Sequence, residues 1–305
     1  VTVGVHLLLV GAVSKSALLP FHFWLPSAMA APTPVSAYLH AAAMVKAGVY
    51  LVALLAPGFA GVAGWHEIVL VLGVVTMLLG GWRALRQYDV KLLLAYGTVS
   101  QLGFLLVVFS VGTRAAALAG VSMLLAHALF KATLFLVVGI VDHQAGTRDL
   151  RALSGVGRSA PVLLGTALVA GASMAGLPPL LGFVGKESVF ASLIDVARAG
   201  DRPDLDPLAG WLVLIGVILG SVLTVAYTVR FLWGTFATKR DVEATAFPPV
   251  SGGFVAAPAV LAVLTIVLGF AGSALTRVLE PYTAQFPAGV HESELALWHG
   301  WELPL

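Results

Sequence analysis

The sequence predicts an all-α polytopic membrane protein. Hydrophobic residues occupy 59% of the 305 positions and charged residues only 10%, whereas soluble domains carry about 25% charged residues. A helix needs about 20 predominantly apolar residues to cross the hydrocarbon core of a bilayer. Long apolar runs recur along the whole chain, separated by glycine, proline, aspartate or basic clusters that interrupt helices.

Eight apolar runs define the predicted spans. They cover residues 1–22, 35–56, 67–82, 92–110, 115–141, 161–199, 210–237 and 252–278. Two runs contain proline breaks: the first ends in "LLPFHFWLPSAMAAPTP" (18–34), and the sixth is interrupted by "GLPPLLG" (176–182). Proline in a helix frees backbone groups that hydrocarbon cannot satisfy, so we expect both breaks to face protein or water.

Basic residues alternate between the predicted loops. Loops 83–91, 142–160 and 238–250 hold most of them, namely Arg83, Arg86, Lys91, Arg148, Arg151, Arg158, Lys239 and Arg240. The intervening loops hold Arg114, Arg198 and Arg202, the last two accompanied by Asp201, Asp204 and Asp206. Because basic loops stay in the cytoplasm, this pattern predicts a multi-pass protein of the bacterial plasma membrane with these three loops inside.

Ionisable side chains also occur inside the predicted spans. They are Lys15, His40, Lys46, His127, Lys131, Lys186 and Glu187, with His22 near the first break. A charge at the bilayer centre costs about 2.5 to 3.5 kcal/mol, so these groups are expected to face one another and water along a buried polar axis. Burial disfavours the charged form of lysine, and histidine titrates near neutral pH, so such an axis can relay protons.

His127 and Lys131 form the most informative pair in this set. They are four residues apart in an apolar run, so they share one face of a helix. Lys15 and Lys46 have a second interpretation, in which each ammonium reaches an interface. His40 and His22 are compatible with a structural role as well as a functional one.

Three further polar residues remain open to two interpretations. Glu187 follows Lys186 directly and therefore points about 100° away from it on a helix, so the two need not pair. Ser100 and Gln101, early in a predicted span, either bond a neighbouring helix or hold water.

Several function classes find no support in the sequence. It contains no GxSxG, HExxH or glycine-rich phosphate loop, and no pair of intramembrane aspartates. It has no cysteine, and its histidines lack metal-ligand spacing. We therefore expect a transporter component rather than an enzyme, with no cofactor, no metal site and no nucleic-acid partner.

Four segments resemble a known family. They are "SKSALLPFHFWLPSAMAAPTPVSAYLHAAAMVKAGVYL" (14–51), "DVKLLLAYGTVSQLGF" (89–104), "HALFKATLF" (127–135) and "GLPPLLGFVGKE" (176–187). They resemble the proton-translocating antiporter-like membrane subunits, which include large membrane-arm subunits of respiratory complex I and the Mrp-type Na⁺/H⁺ antiporters. The segment "GIVDHQAGTRDLRALSG" (139–155) is most similar to the A subunit of the multisubunit Mrp antiporters.

The resemblance implies a bundle of two inverted five-helix units, each with a discontinuous helix. Residues 1–56 would be the end of the first unit, 57–237 the second unit, and 238–305 an additional transmembrane helix and the start of a C-terminal extension. The chain would thus be a fragment of a longer protein. The resemblance also implies site roles: Lys15 as the first-channel proton carrier, His40 and Lys46 as the link, His127 and Lys131 as the central relay, and Lys186 as the terminal lysine.

The function implied by the resemblance is exchange of Na⁺ (or Li⁺ or K⁺) for protons by a multisubunit antiporter. Its expected partners are the other subunits, the lipid bilayer, protons and monovalent cations. Two alternatives stay open: a proton-pumping membrane-arm subunit of NADH:quinone oxidoreductase, and a scaffold subunit that conducts nothing. Gly97 stands where the family often has serine, and no cluster of carboxylates marks a sodium site.

Overall fold

The computed structural model describes residues 2–41, 43–59, 62, 64–198, 207–288 and 294–298. All regular secondary structure in these residues is helical, which confirms the predicted all-α fold. The helices are α1 (Thr2–Lys15), α2 (Trp24–Ser27), α3 (Thr33–Ala41), α4 (Lys46–Phe59), α5 (Trp65–Leu85), α6 (Val90–Val111), α7 (Arg114–Ala145), α8 (Val156–Ser159), α9 (Pro161–Ala175), α10 (Leu181–Ala197), α11 (Pro207–Phe236), α12 (Gly252–Phe270) and α13 (Gly272–Thr283).

Six helical segments in the described part of the chain are long and apolar enough to cross a membrane. They are Thr33–Phe59, which combines α3 and α4, and Trp65–Leu85, Val90–Val111, Arg114–Ala145, Leu208–Phe236 and Gly252–Phe270. The other two predicted spans, the first and the sixth, consist of shorter helices interrupted by a break. The eight apolar runs of the sequence therefore all correspond to helical segments.

Both proline breaks are present. Helix α1 ends at Lys15, and the non-helical segment after it is held by two bonds: Trp24 Nε1 donates to the Ser14 carbonyl (3.0 Å), and Leu19 N donates to Thr76 Oγ1 on α5 (3.2 Å). The second break separates α9 from α10, where Gly182 N donates to Ser173 Oγ (3.2 Å). Protein groups thus satisfy backbone donors at both breaks, as the bilayer requires.

Two further interruptions were not predicted. The run 35–56 divides between Ala41 and Lys46, where Val45 N donates to the Leu39 carbonyl in place of the regular helical bond. The run 252–278 divides at Ala271, between α12 and α13. Neither interruption contains a proline, although Gly269 and Gly272 flank the second one. Residues 289–293 and 299–305, part of the predicted C-terminal extension, lie outside the described residues.

The three basic loops meet at one end of the bundle. Val90 N donates to the Arg148 carbonyl (2.9 Å), and Gly155 N donates to the Ala237 carbonyl (2.9 Å). We call this the basic end. Arg114 N donates to the Pro287 carbonyl at the opposite end (3.1 Å). The acidic residues 201–206 lie outside the described residues. The shared position of the basic loops agrees with the alternation in the sequence, and their cytoplasmic location stays a prediction.

Helices α6 and α7 form the centre of the bundle. Nearly every side chain of α6 is buried. This agrees with its sequence, because a helix without a polar face is expected to be surrounded by other helices. Helix α5 packs on α6 through glycines: a Cβ atom at Gly103 would lie 2.5 Å from Met77 N and 2.6 Å from the Gly73 carbonyl oxygen. Small residues permit this close approach of two helix backbones in a membrane protein. The division into inverted units at residues 56 and 237 is not tested by these contacts.

We predict that Gly103→Ala destabilises the protein by about 1–3 kcal/mol, because the added methyl group overlaps the backbone of α5. The thermal unfolding midpoint of the detergent-solubilised protein measures the effect. Gly165→Ala on α9 is the matched control, since no atom lies within 4 Å of the Cβ position there. Equal midpoints for the two variants would contradict the close α5–α6 packing.

Candidate functional site

The centre of the candidate site lies on α7. His127 and Lys131 are both fully buried on one face of this helix. The His127 ring packs edge-on against Phe130, with ring centroids 5.4 Å apart. Neither ring nitrogen of His127 has a hydrogen-bond partner among the described residues. The pair that the helical spacing predicted is therefore inside the bundle and away from lipid.

Lys131 is held between α7, α6 and α11. Its Nζ donates to the Leu94 carbonyl on α6 (3.1 Å) and lies 6.0 Å from the centre of the Tyr227 ring on α11. Gly97 provides the space for this arrangement, because a Cβ atom there would lie 3.1 Å from Nζ and 3.2 Å from the Tyr227 ring. Gly97 therefore contributes room rather than a hydroxyl group.

Lys46 reaches α7 from the helix interruption. It is the first residue of α4, it is 6% exposed, and its Nζ donates to the Leu124 carbonyl on α7 (3.0 Å). Leu124 precedes His127 by about one helical turn. The Lys46 ammonium is therefore the neighbour of His127 along α7, which excludes the interpretation that Lys46 extends to the membrane surface.

His40 contacts α7 on the other side of Lys131. Its ring is fully buried, with its centroid 4.9 Å from that of Phe135, and both ring nitrogens lack a hydrogen-bond partner in the described part of the chain. Lys46, His127, Lys131 and His40 thus follow one another along α7. The contacts at Leu124 and Phe135 are eleven residues apart, about 16 Å at the helical rise. We call these four residues the central row.

Lys91 extends the central row toward the basic end. The sequence pattern indicates only a loop charge at this position, yet the side chain is 1% exposed and its Nζ donates to the Ala31 carbonyl. Ala31 lies two residues before α3, the helix that carries His40. The available signal was its place in the first turn of α6, two residues after Asp89, whose side chain accepts from Lys91 N (2.8 Å).

Lys186 is fixed at the second proline break. It is 5% exposed on α10, and its Nζ donates to the Ala175 carbonyl at the last residue of α9 (3.1 Å). A cation is favourable at this helix C-terminus. Gly176, with φ +87°, lies beside the lysine: a Cβ atom there would be 2.7 Å from Lys186 Cδ. Glu187 is half-buried, and the acceptor of this Lys186 bond is the carbonyl rather than the Glu187 carboxylate.

The structure does not bring the remaining two candidates into the central row. Lys15, at the end of α1, is exposed on the surface of the described chain. His22 is half-buried in the first break. The described residues therefore support a buried site around α7 and α10, and they leave the roles of Lys15 and His22 as predictions.

Backbone carbonyls compensate the buried lysines. Lys46, Lys91, Lys131 and Lys186 each donate to a carbonyl of a neighbouring segment. The sequence predicted that the ionisable groups would face one another and water, and it did not identify these carbonyl acceptors. Ammonium groups in direct contact would repel, whereas a carbonyl oxygen has a second lone pair that can accept a bond beside the helical one.

Ser100 and Gln101 contact two different helices. Ser100 Oγ donates to the Met77 carbonyl on α5 (2.8 Å). Gln101 Nε2 donates to Thr224 Oγ1 (3.1 Å) and Tyr227 Oη (3.4 Å) on α11, while its Oε1 is buried without a protein partner among the described residues. Gln101 thus belongs to a polar group that reaches Lys131 through Tyr227. Tyr227 was missed because a tyrosine in an apolar helix usually indicates a core residue.

The fold and the site define a class of protein. A helical bundle with several apolar spans contains a row of buried lysine and histidine side chains. Intramembrane ionisable groups that face the bundle interior mark ion pathways and proton relays in membrane proteins. The class is therefore that of polytopic membrane proteins with buried ionisable side chains inside the helical bundle.

Sequence comparison identifies the family within this class. Residues 1–199 match the family described as "NADH:quinone oxidoreductase/Mrp antiporter, TM". The chain belongs to this family. The matched region includes the central row, Lys91 and Lys186, so the resemblance of the four sequence segments is confirmed at the level of the family.

Individual relatives agree with this membership. The chain is 42% identical to a probable K⁺/H⁺ antiporter A/B subunit of Rhizobium meliloti, over 98% of this chain and 30% of the relative. It is 40% identical to the A subunit of a Na⁺/H⁺ antiporter of Alkalihalophilus pseudofirmus, over 98% of this chain and 40% of the relative. A chain of the Mrp complex from Dietzia sp. DQ12-45-1b superimposes with a TM-score of 0.83 and 41% identity, over 98% of this chain and 31% of that chain.

We predict that Gly97→Val lowers the thermal unfolding midpoint, because the larger side chain presses on Lys131 Nζ and the Tyr227 ring. The loss should be smaller in a Lys131→Met background, where the ammonium is absent. Gly165→Val serves as the control at an open helix position. If Gly97→Val has the same effect with and without Lys131, the packing of Lys131 against Gly97 is wrong.

Proposed function

We propose that this chain is the proton-translocating membrane part of a multisubunit cation/proton antiporter. The observation that supports the proposal is the central row along α7, with Lys46, His127, Lys131 and His40 buried in consecutive order. Family membership supports it independently, because the matched family includes the Mrp antiporters. The chain spans only 30% to 40% of the two curated relatives, so the activity of the whole protein belongs to this proposal.

The path begins at the basic end. Lys91 takes up a proton there and passes it to His40, whose helix α3 begins two residues after the Ala31 carbonyl that holds Lys91. An imidazole ring can accept a proton at one nitrogen and release one from the other. His40 and His127 are suited to this task because their ring nitrogens are not committed to protein partners among the described residues. Water between the side chains completes the path.

The lysines act as proton carriers with fixed positions. Each buried ammonium is held by one carbonyl bond, which orients it without neutralising it. Burial disfavours the ammonium, so the neutral amine is accessible and the side chain can alternate between the two forms. Lys186, at the break between α9 and α10, is the carrier nearest the opposite end in this proposal.

The partners of the chain are the other subunits of the antiporter complex and the lipid bilayer. Its coupling ion is Na⁺, Li⁺ or K⁺, since the two relatives carry names that refer to different cations. Its location is the bacterial plasma membrane, with the basic end in the cytoplasm. No covalent chemistry is assigned to the chain.

The redox-driven alternative has a specific basis in the family, which also contains NADH:quinone oxidoreductase subunits. In that case, protons move along the same row, but no monovalent cation is exchanged. A non-conducting scaffold is the third possibility, and it gives no reason for burying four lysines and two histidines in the helical bundle. One assay on a small set of variants separates all three.

We predict that Lys131→Ala abolishes cation-dependent collapse of the pH gradient in everted membrane vesicles that contain the complete complex. Respiration builds the gradient, and addition of Na⁺, Li⁺ or K⁺ releases it in the parent. Lys131→Arg should fail as well, because a guanidinium keeps the charge but does not release its proton. Arg240→Ala, an exposed basic residue at the same end as Lys91, is the control and should behave as the parent.

Each outcome selects one function. A parent that shows no response to any cation favours the redox-driven relative. Full activity of Lys131→Ala supports the scaffold and rejects the proton path. Full activity of Lys131→Arg with an inactive alanine variant means that a fixed charge is sufficient, which rejects proton carriage by this residue. Co-purification of the other subunits establishes that each variant assembles.

We predict opposite profiles for the neighbouring residues Ser100 and Gln101. Ser100→Ala removes one bond between α5 and α6, so it should lower stability by about 0.5–1.5 kcal/mol and leave transport unchanged. Gln101→Leu removes the polar group that reaches Tyr227 and should reduce transport more than stability. Unfolding midpoints and vesicle assays on both variants test this, and equal transport losses would contradict the distinction.

A further inference from the structure

A pocket of about 610 Å³ opens at the basic end, outside the central row. Its walls come from the end of α5, the segment after α7 and the last turns of α11. The lining includes Arg151, Arg230 and Lys239, together with Tyr88, Val229 and Trp233. The pocket therefore combines three basic side chains with aromatic and aliphatic walls.

The charge of the pocket is positive. Arg230 donates from Nε and Nη2 to the Gln87 carbonyl (3.3 and 3.0 Å). Lys239 Nζ donates to the Gly234 carbonyl (2.8 Å) and to the carbonyls of Leu150 and Leu153, so both charges are held by neutral acceptors. Because its three N–H groups are occupied, Lys239 acts on an anion through its charge. Arg151 donates to Asp149 through two parallel bonds, from Nε to Oδ1 (3.0 Å) and from Nη2 to Oδ2 (2.7 Å), and these bonds keep the pKa of the Asp149 carboxyl below its ordinary value. Asp149 neutralises Arg151, so Arg230 and Lys239 supply the net charge.

Tyr88 organises the two guanidinium groups. The Cζ atoms of Arg151 and Arg230 lie 4.5 Å and 5.2 Å from the centre of its ring. Stacking on an aromatic face limits the motion of an arginine and leaves its outer nitrogens available to an anion. The pocket is thus ordered before any ligand enters.

The rim of the pocket carries the residue types of a membrane interface. Trp233 and Tyr88 are 68% and 51% exposed there, and both residue types collect where the hydrocarbon core meets the headgroups. From this rim, an exposed aliphatic stripe continues along α11 through Val229, Val225 and Val222. Positive charge therefore lies beside an aromatic rim, and exposed apolar surface continues directly from it.

We propose that this pocket binds an anionic phospholipid, with the phosphate beside Arg230 and Lys239 and an acyl chain along the valine stripe of α11. The basic side chains and the valine stripe together favour this occupant. A free phosphate ion would contact the cations but not the valines, and a neutral lipid would contact the valines without pairing with the cations. Basic pockets on the cytoplasmic side of transmembrane helices bind anionic headgroups for this reason.

The test compares lipid association in the complete complex reconstituted into nanodiscs that contain phosphatidylglycerol and phosphatidylcholine. Spin-labelled forms of both lipids report how strongly each associates with the protein. Arg230→Gln should reduce the preference for phosphatidylglycerol about fivefold, the effect of one basic residue at the surface. Arg158→Gln is the matched control, because it removes an exposed arginine at the same end that does not line the pocket.

A second variant keeps the charge and fills the pocket. Ala226→Phe places an aromatic ring in the aliphatic wall, so it should also lower the association of phosphatidylglycerol. Inorganic phosphate, added as a competitor, should not displace the lipid label. The measurement does not depend on transport, so the lipid site and the antiport activity can fail separately.

Three results would overturn the proposal. An equal loss in Arg158→Gln means general attraction to the basic end. Displacement by inorganic phosphate means an anion site without a lipid. Cross-linking of a photoreactive residue at Trp233 to another protein segment means that protein covers the pocket in the complex. A loss restricted to Arg230→Gln and Ala226→Phe, in protein with normal subunit composition, supports the lipid site.

Discussion

The structure depends on one constraint: an ammonium group buried among apolar helices must find an acceptor that does not disturb the helices themselves. Backbone carbonyls meet this need for Lys46, Lys91, Lys131 and Lys186. Ends of helical segments supply two of these acceptors, since the last carbonyls of a helix have no intrahelical partner. Ala175 ends α9, and Ala31 follows the short helical turns after the first break. The other two acceptors, Leu94 and Leu124, lie within α6 and α7, where a carbonyl accepts the lysine bond beside the helical one.

The need for carbonyl acceptors also explains why the site is arranged around α7. The helix is long, it is uninterrupted from Arg114 to Ala145, and it contacts the broken segments on both sides. Rigid α7 fixes His127 and Lys131, while Lys46 and Lys186 approach from beside an interruption. The row thus combines one continuous element with several discontinuous ones. Such mixed construction allows polar groups inside a membrane protein without exposing backbone to lipid.

The membrane spans and part of the candidate site could be predicted from the sequence. The bilayer sets the length of an apolar helix, so the apolar runs predicted the spans, and prolines marked two of the helix interruptions. The face shared by His127 and Lys131 followed from helical spacing.

Lys91 was missed because a lysine close to Arg83 and Arg86 is typical of a basic loop, and only the packing of α6 shows that it is buried. The interruption before Lys46 was missed because it depends on tertiary contacts rather than on proline, and Tyr227 because its polar partner lies on another helix.

Asp89 fixes the start of α6. Its side chain accepts from Lys91 N and Leu92 N at the start of α6, and it forms an ion pair with Arg148 (3.3 Å). This fixes the rotation at which α6 enters the bundle relative to the loop that follows α7. One residue inserted between Asp89 and Lys91 would turn the lysine by about 100° around the helix axis, away from His40. The number of residues between Asp89 and Lys91 is consequently as constrained as the identity of the lysine. We therefore expect α6 to tolerate the exchange of one apolar residue for another more readily than an insertion or deletion.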